Sequence, residues 1–213
     1  MKNPMRLVIL DMDSTFIQQE VIDLLAHRAG VGDEVAAITE RSMRGEIDFK
    51  ESLIERVTLL RGLSEAVLVE IREEISLSKG AREMVDTLHD HGHKVAVVSG
   101  GFENVIQPIL LAANVDFFRA NVLEAIDGLL TGRTIGSVID RAAKADYLRE
   151  TASNLGIPLI NTVAVGDGAN DLGMMEIAGL SVAFNAKPIV KAAARSTIDD
   201  GDLTGVLRLM GIF

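Results

Sequence analysis

The chain has 213 residues, 48% of them hydrophobic, and a formal net charge of −10 at pH 7. That length buries a full core without covalent staples, and the absence of cysteine excludes disulfides, a thiol nucleophile and a Cys-ligated zinc site. An acidic chain with no Lys/Arg cluster is a poor binder of nucleic acid or anionic membranes, and no run approaches the ~18 apolar residues of a membrane span.

The first element is a continuously apolar run, Leu7–Leu10, which reads as a strand covered on both faces. It ends in Asp11-Met12-Asp13-Ser14-Thr15. In extended backbone, residues two apart point to the same side, so Asp11 and Asp13 converge at the carboxyl end of a strand, where open α/β sheets bind their ligands. Two converging carboxylates need a shared proton or a bound cation. The residues before this strand do not form a signal-like apolar segment, so a cytoplasmic protein is expected.

A helical block follows. Val21, Leu24 and Leu25 form one stripe, and Val35, Ile38 and Met43 another. Asp48 is placed to cap a third helix, with Glu51 at its capping-box position and Leu53, Ile54, Val57 and Leu60 as its stripe. Ser64 is expected to start a fourth in the same way. A βαβ crossover needs about 30 residues, and the interval from Gln18 to Ser78 is about twice that. The excess predicts a helical cap over residues 18–77, inserted where it can close over the acidic loop, and a core domain formed by 1–17 and 78–213.

His89-Asp90-His91-Gly92-His93 straddles an expected helix end, with Gly92 just past it, and reads as a solvated terminus rather than a metal site. Strands are expected at Val95–Val98, Thr162–Val165 and Ser181–Phe184. The first of these leads into Ser99-Gly100-Gly101, where a hydroxyl and backbone N–H groups opening a helix would cradle phosphate. Asp127-Gly128 separates two apolar runs within Asn121–Ile135 and predicts a hairpin. Lys144 lies among small residues, and Thr162–Val165 leads into Gly166-Asp167-Gly168-Ala169-Asn170-Asp171. The expected fold is therefore α/β: a Rossmann-like, doubly wound, mostly parallel sheet with an inserted helical cap and a small β-hairpin.

Each functional residue has a plain structural alternative: a strand-end Asp as a turn residue, Ser99 as a cap, Lys144 as a solvated surface charge. Their joint occurrence, three of the four motifs directly after expected strands, favours chemistry. Asp11 attacking phosphorus would give an acyl-phosphate that water cleaves, and Asp13 could protonate the leaving alkoxide. Asp167 could share a cation with Asp11; oxygen-only ligation suits Mg²⁺. Lys144 would stabilise charge on the transferring group.

These four motifs resemble those of the haloacid dehalogenase superfamily, and within it most closely the phosphoserine phosphatase branch. The similarity extends to Glu20, Arg56, the Asp127-Gly128 hairpin and Ala186-Lys187-Pro188. The segment Arg133-Thr134-Ile135-Gly136-Ser137 is less acidic than that branch's pattern, and Asn185 stands where relatives vary. The resemblance implies a Mg²⁺-dependent phosphomonoesterase acting on a small phosphorylated amino acid, L-phosphoserine, in the last step of serine biosynthesis. It implies Asp11 as nucleophile and Asp13 as acid/base. The metal would be held by Asp11, Asp167 and the backbone carbonyl of Asp13, with Asp171 in support. Ser99, Gly100, Lys144 and Asn170 would contact phosphate and substrate. Glu20 and Arg56 would read the substrate's amine and carboxylate, a pairing that also follows from the preference of Arg for carboxylates. Met43 and Phe49 are candidates to line the closed cap. A regulatory amino-acid-binding domain of the kind that precedes many bacterial relatives is not expected, and the chain is expected as a monomer or homodimer. Alternatives are transfer of the phosphoryl group to an alcohol, hydrolysis of another metabolite such as phosphothreonine or homoserine phosphate, and a non-enzymatic receiver-like module.

Overall fold

The structure, a computed structural model, describes residues 4–212. β1 (Leu7–Leu10) is fully buried and leads into a tight coil over 12–16, in which Asp13 is extended (φ −66°, ψ 137°) and Ser14 left-handed (φ 55°, ψ 5°). Then come α1 (Val21–Ala29), α2 (Gly32–Met43), α3 (Phe49–Thr58) and α4 (Val67–Glu70), the last continued by a 3-10 turn over Ile71–Glu74. The capping box at Asp48 and Glu51 forms as expected, each side chain accepting from the other's backbone N–H, at 2.8 and 3.1 Å.

Three expectations for this block fail. Met43 is 66% exposed and Ile54 49% exposed, so neither belongs to a buried stripe. These helices bury only a narrow seam: Val35 in α2, then Leu53 and Val57 in α3, with Leu60 just beyond the helix. Ser64 starts no helix. It forms an antiparallel bridge with Leu129, its Oγ accepts from the Ala66 amide, and α4 begins three residues later.

The chain returns through an antiparallel bridge between Ile17 and Leu77, so the segments entering and leaving the helical block lie side by side. After α5 (Ala81–Asp90) come β2 (Lys94–Phe102), α6 (Glu103–Ala112), β3 (Phe117–Ile126), β4 (Leu129–Ile135) and α7 (Arg141–Asn154). β5 (Thr162–Gly166), α8 (Leu172–Ile177), β6 (Leu180–Phe184), α9 (Pro188–Ala193), β7 (Ser196–Ile198) and α10 (Gly205–Leu209) complete the core. The seven-stranded sheet has the order β4-β3-β2-β1-β5-β6-β7, parallel except for β3–β4. The strand order reverses at β1, so the carboxyl ends of β1, β2 and β5 border the crevice where such sheets bind ligands. Among the described residues no helix is long and apolar enough to cross a membrane.

Both faces of the sheet are covered, which is why its strands read as unbroken apolar runs. Val8 and Leu10 pack with Met84, Leu88 and Ile106; Leu7 and Ile9 pack with Leu148, Met174 and Val190. The hairpin forms with Asp127 and Gly128 both at positive φ (52° and 76°), the conformation a two-residue turn requires. Its tip joins the helical block: the Gly62 amide donates to the Leu130 carbonyl at 2.8 Å and the Leu130 amide to the Leu63 carbonyl at 2.9 Å.

The histidines do not converge. Nε2 of His89 lies 2.7 Å from Asp116 and Nδ1 of His91 2.9 Å from the Thr87 carbonyl, while Nδ1 of His93 accepts from the Arg6 amide at 3.2 Å. Gly92, at φ 75°, occupies the position past the helix end. The expectation of a solvated terminus holds for His91 and fails for His93, which is 3% exposed. Burial, and then the nearby Arg6, push His93 below its usual imidazole value and favour its neutral form.

Candidate active site

The acidic pair at the end of β1 forms one wall of a cavity of about 610 Å³, roofed by α1–α3. Asp11 is 5% exposed, and its Oδ1 accepts from the Met12 amide and from Lys144 Nζ, each at 2.7 Å. Lys144 is fully buried, and its Nζ also lies 2.7 Å from Asp171 Oδ1. It is therefore no solvated surface lysine. Its place is set by the start of α7, where Asp140 caps the helix by accepting from the Ala143 amide at 2.9 Å.

Asp171, also fully buried, spends its second oxygen on the amides of Asp167 and Gly168, at 3.1 and 3.0 Å. Gly166 is required here, since a Cβ would collide with the Asp171 carboxylate. Thr15, absent from the sequence-derived site, donates its hydroxyl to Asp167 Oδ1 at 2.9 Å. Its position two residues after Asp13 was the available signal.

Asp11, Asp167 and Asp171 each bring a carboxylate oxygen within 4.8 Å of the others. One lysine cannot balance them. Burial first, then Asp171, pushes Asp11 well above the usual carboxylate range, with Lys144 opposing. Burial and Asp171 raise Asp167 to about 6. Burial and then Glu20 push Asp13 well up, and its Oδ1 is buried without a partner. Such an oxygen-only, overcharged cluster fits a hard divalent cation. Asp171 is already committed to Lys144 and two amides, so Asp11 Oδ2 and Asp167 Oδ2 are the side-chain oxygens left to hold one.

Ser99 is buried at the same sheet edge, but not at a helix start. Parallel pairing with β3 runs to Val98–Arg119, shifts register across Ser-Gly-Gly and resumes at Phe102–Asn121, so the strand continues to Phe102 and α6 begins only at Glu103. Ser99 Oγ accepts from the Gly101 amide at 2.8 Å. A Cβ on Gly101 would lie 2.7 Å from Asp13 Oδ2, and one on Gly100 2.8 Å from Phe49 Cζ. These two glycines thus admit an acidic side chain on one side and the aromatic ring of Phe49, at the start of α3, on the other. Asn121, buried at the base of the hairpin, donates to the Gly100 carbonyl at 2.8 Å and accepts from the Ile139 amide at 2.9 Å, tying this loop to the approach to α7. Nothing in its sequence context marked it.

On the side of the helical block, Glu20 and Arg56 line the same cavity, with Asp23, Ser52 and Phe49. Glu20 accepts from Ser14 Oγ at 2.6 Å, a link made by the reversal at Ser14. Burial pushes the half-buried Arg56 below its usual range, with Glu20, Asp23 and Asp13 opposing. Asn170 lines the cavity, as do Lys187, of the Ala186-Lys187-Pro188 segment, and Arg141, which the sequence reading did not single out. Met43, though exposed, borders the cavity opening. The arrangement can therefore hold a cation, offer a carboxylate to an electrophile beside a buried ammonium, and present a Glu and an Arg opposite.

The family model for haloacid dehalogenase-like hydrolases matches residues 8–176. A phosphoserine phosphatase of Streptomyces coelicolor is 52% identical over 97% of this chain and 50% of its own, so this chain spans about half its length. A phosphoserine phosphatase of Streptococcus thermophilus is 47% identical over 96% of this chain and 95% of its own. A solved structure of a phospho-aspartyl intermediate analogue of phosphoserine phosphatase superposes with a TM-score of 0.92, at 41% identity, covering 97% of this chain and 99% of that one.

Proposed function

The chain belongs to the haloacid dehalogenase-like hydrolase family, and on that premise we propose that it hydrolyses L-phosphoserine to L-serine and phosphate through an aspartyl-phosphate on Asp11. The observation that carries the reading is one cavity with two unlike ends. At the sheet edge Asp11 meets Lys144; at the cap Glu20 and Arg56 face inward. A phosphate monoester with an ammonium and a carboxylate matches both ends. The names of the relatives point the same way.

In the proposed reaction an Asp11 oxygen attacks phosphorus and the serine alkoxide departs, taking its proton from Asp13. Burial, and then Glu20, favour the protonated form of Asp13. Asp13 then takes a proton from the water that cleaves the acyl-phosphate, which restores Asp11. Lys144 stabilises charge on the phosphoryl oxygens, and Ser99 with the Gly100 amide and Asn170 supplies further contacts. Glu20 and Arg56 hold the amine and carboxylate. Asp11, Asp167 and the Asp13 carbonyl would hold Mg²⁺, which supplies neutralising charge for the incoming phosphate. Residues 18–77 act as the cap, hinged at the Ile17–Leu77 bridge, and close over the bound substrate. A cytoplasmic monomer or homodimer is part of the same reading.

The test is a panel of phosphoserine, phosphothreonine and phosphoglycolate with and without Mg²⁺, with serine and homoserine as competing acceptors. Release of inorganic phosphate from phosphoserine, lost in chelator and in Asp11→Asn, is expected. Preference for phosphoglycolate, which has no amine, would overturn the role given to Glu20.

A further inference from the structure

The cavity holds a polar group that the reaction above does not use. Among the described residues, three buried side-chain polar atoms have no hydrogen-bond partner: Asp13 Oδ1, Ser52 Oγ and Arg72 Nε. Two of the three belong to residues lining this one cavity. Ser52 is 1% exposed and sits in the first turns of α3. A hydroxyl inside a helix normally donates back to the carbonyl four residues earlier. Thr39 does so to Val35 at 2.9 Å and Thr58 to Ile54 at 2.7 Å. Ser52 does not, and a buried hydroxyl left unpaired is costly.

Its neighbour suggests what completes it. Arg56, one turn later on α3, folds back so that its Nε donates to the Ser52 carbonyl at 3.2 Å. That contact fixes the guanidinium beside Ser52 and leaves both terminal nitrogens for a carboxylate. A carboxylate held there has lone pairs to spare for a second donor.

We propose that Ser52 is a specificity residue whose hydroxyl donates to the substrate carboxylate held by Arg56. The inference rests on the phosphoserine reading. Two substrates separate its parts: phosphoserine, and phosphoethanolamine, which keeps the phosphate and ammonium but lacks the carboxylate. In Ser52→Ala, kcat/KM for phosphoserine should fall roughly tenfold, mostly through KM, as expected for a hydrogen bond to a charged group. Turnover of phosphoethanolamine, or its inhibition constant, should not change, and the variant should resist urea as well as the wild type does. An equal loss on both compounds, or no loss on phosphoserine in a folded variant, would overturn the assignment of Ser52 alone. Wild-type enzyme inert towards phosphoserine would overturn the substrate reading as well.

Discussion

Lys144→Met keeps the apolar stem and removes a fully buried ammonium that lies 2.7 Å from each of two carboxylates. Asp171 would keep the amides of Asp167 and Gly168 on one oxygen and lose its partner on the other. Asp11 would keep only the Met12 amide on Oδ1. Breaking a buried pair by removing one partner costs roughly 3–5 kcal/mol, a large part of a typical total stability of about 5–15 kcal/mol. Urea unfolding in chelator should therefore show a loss of unfolding free energy of that size, read as a lower midpoint at unchanged m-value. Adding Asp171→Asn to Lys144→Met removes the stranded charge and lets the new amide donate to Asp11. The double variant should be more stable than the sum of the singles by about 1–3 kcal/mol. Activity of Lys144→Met should drop at least ~10²-fold, the usual cost of one preorganised donor. A single variant within about 1 kcal/mol of wild type, or strict additivity in the cycle, would refute the view that this lysine holds two charges together.

Gly101→Ala places a methyl against Asp13 Oδ2, so kcat should fall about 10²-fold while the urea midpoint barely moves, because the displaced carboxyl is functional rather than core. Equal kcat in both forms would show that the Asp13 position is immaterial. Asp202, far from the chemistry, accepts from Thr204 N and Oγ1 and pairs with Lys79, and these contacts hold its carboxyl down to about 2. Since its folded value lies below the unfolded one, its contribution is present above ~4 and lost as pH falls through about 2. Asp202→Asn should thus be less stable by about 1 kcal/mol at pH 7, allowing for solvent screening, with the gap closing in acid; a pH-independent gap would contradict the ionic origin.

The sequence exposes most strongly what depends on local pattern. β1 is legible because a strand covered on both faces must be apolar throughout. The hairpin turn is legible because Asp127-Gly128 tolerates the positive φ that the turn demands. What depends on distant partners is not. Ser-Gly-Gly reads as the opening of a helix, yet the strand runs on through it to Phe102, which pairs with Asn121 of β3 after a register shift. Lysine is by default a surface residue, and only the meeting of β1, α7 and the loop after β5 buries Lys144. Met43 and Ile54 sit at helical spacing from buried neighbours, but the short helices α2 and α3 bury a narrower face than periodicity suggests. Nor does the sequence show that the hairpin tip joins the helical block through Ser64 and Leu129, since that bridge spans distant segments.

The role given to Asp11 is tested most directly by trapping the covalent state. Enzyme mixed with Mg²⁺ and ³²P-labelled phosphoserine, quenched in acid within one turnover and mapped by proteolysis, should carry acid-stable, hydroxylamine-labile label on the peptide containing Asp11. Asp11→Asn should carry none. Normal phosphate release with no label on that peptide, or with label on Asp13 or Asp167, would contradict the assignment of Asp11 as the nucleophile.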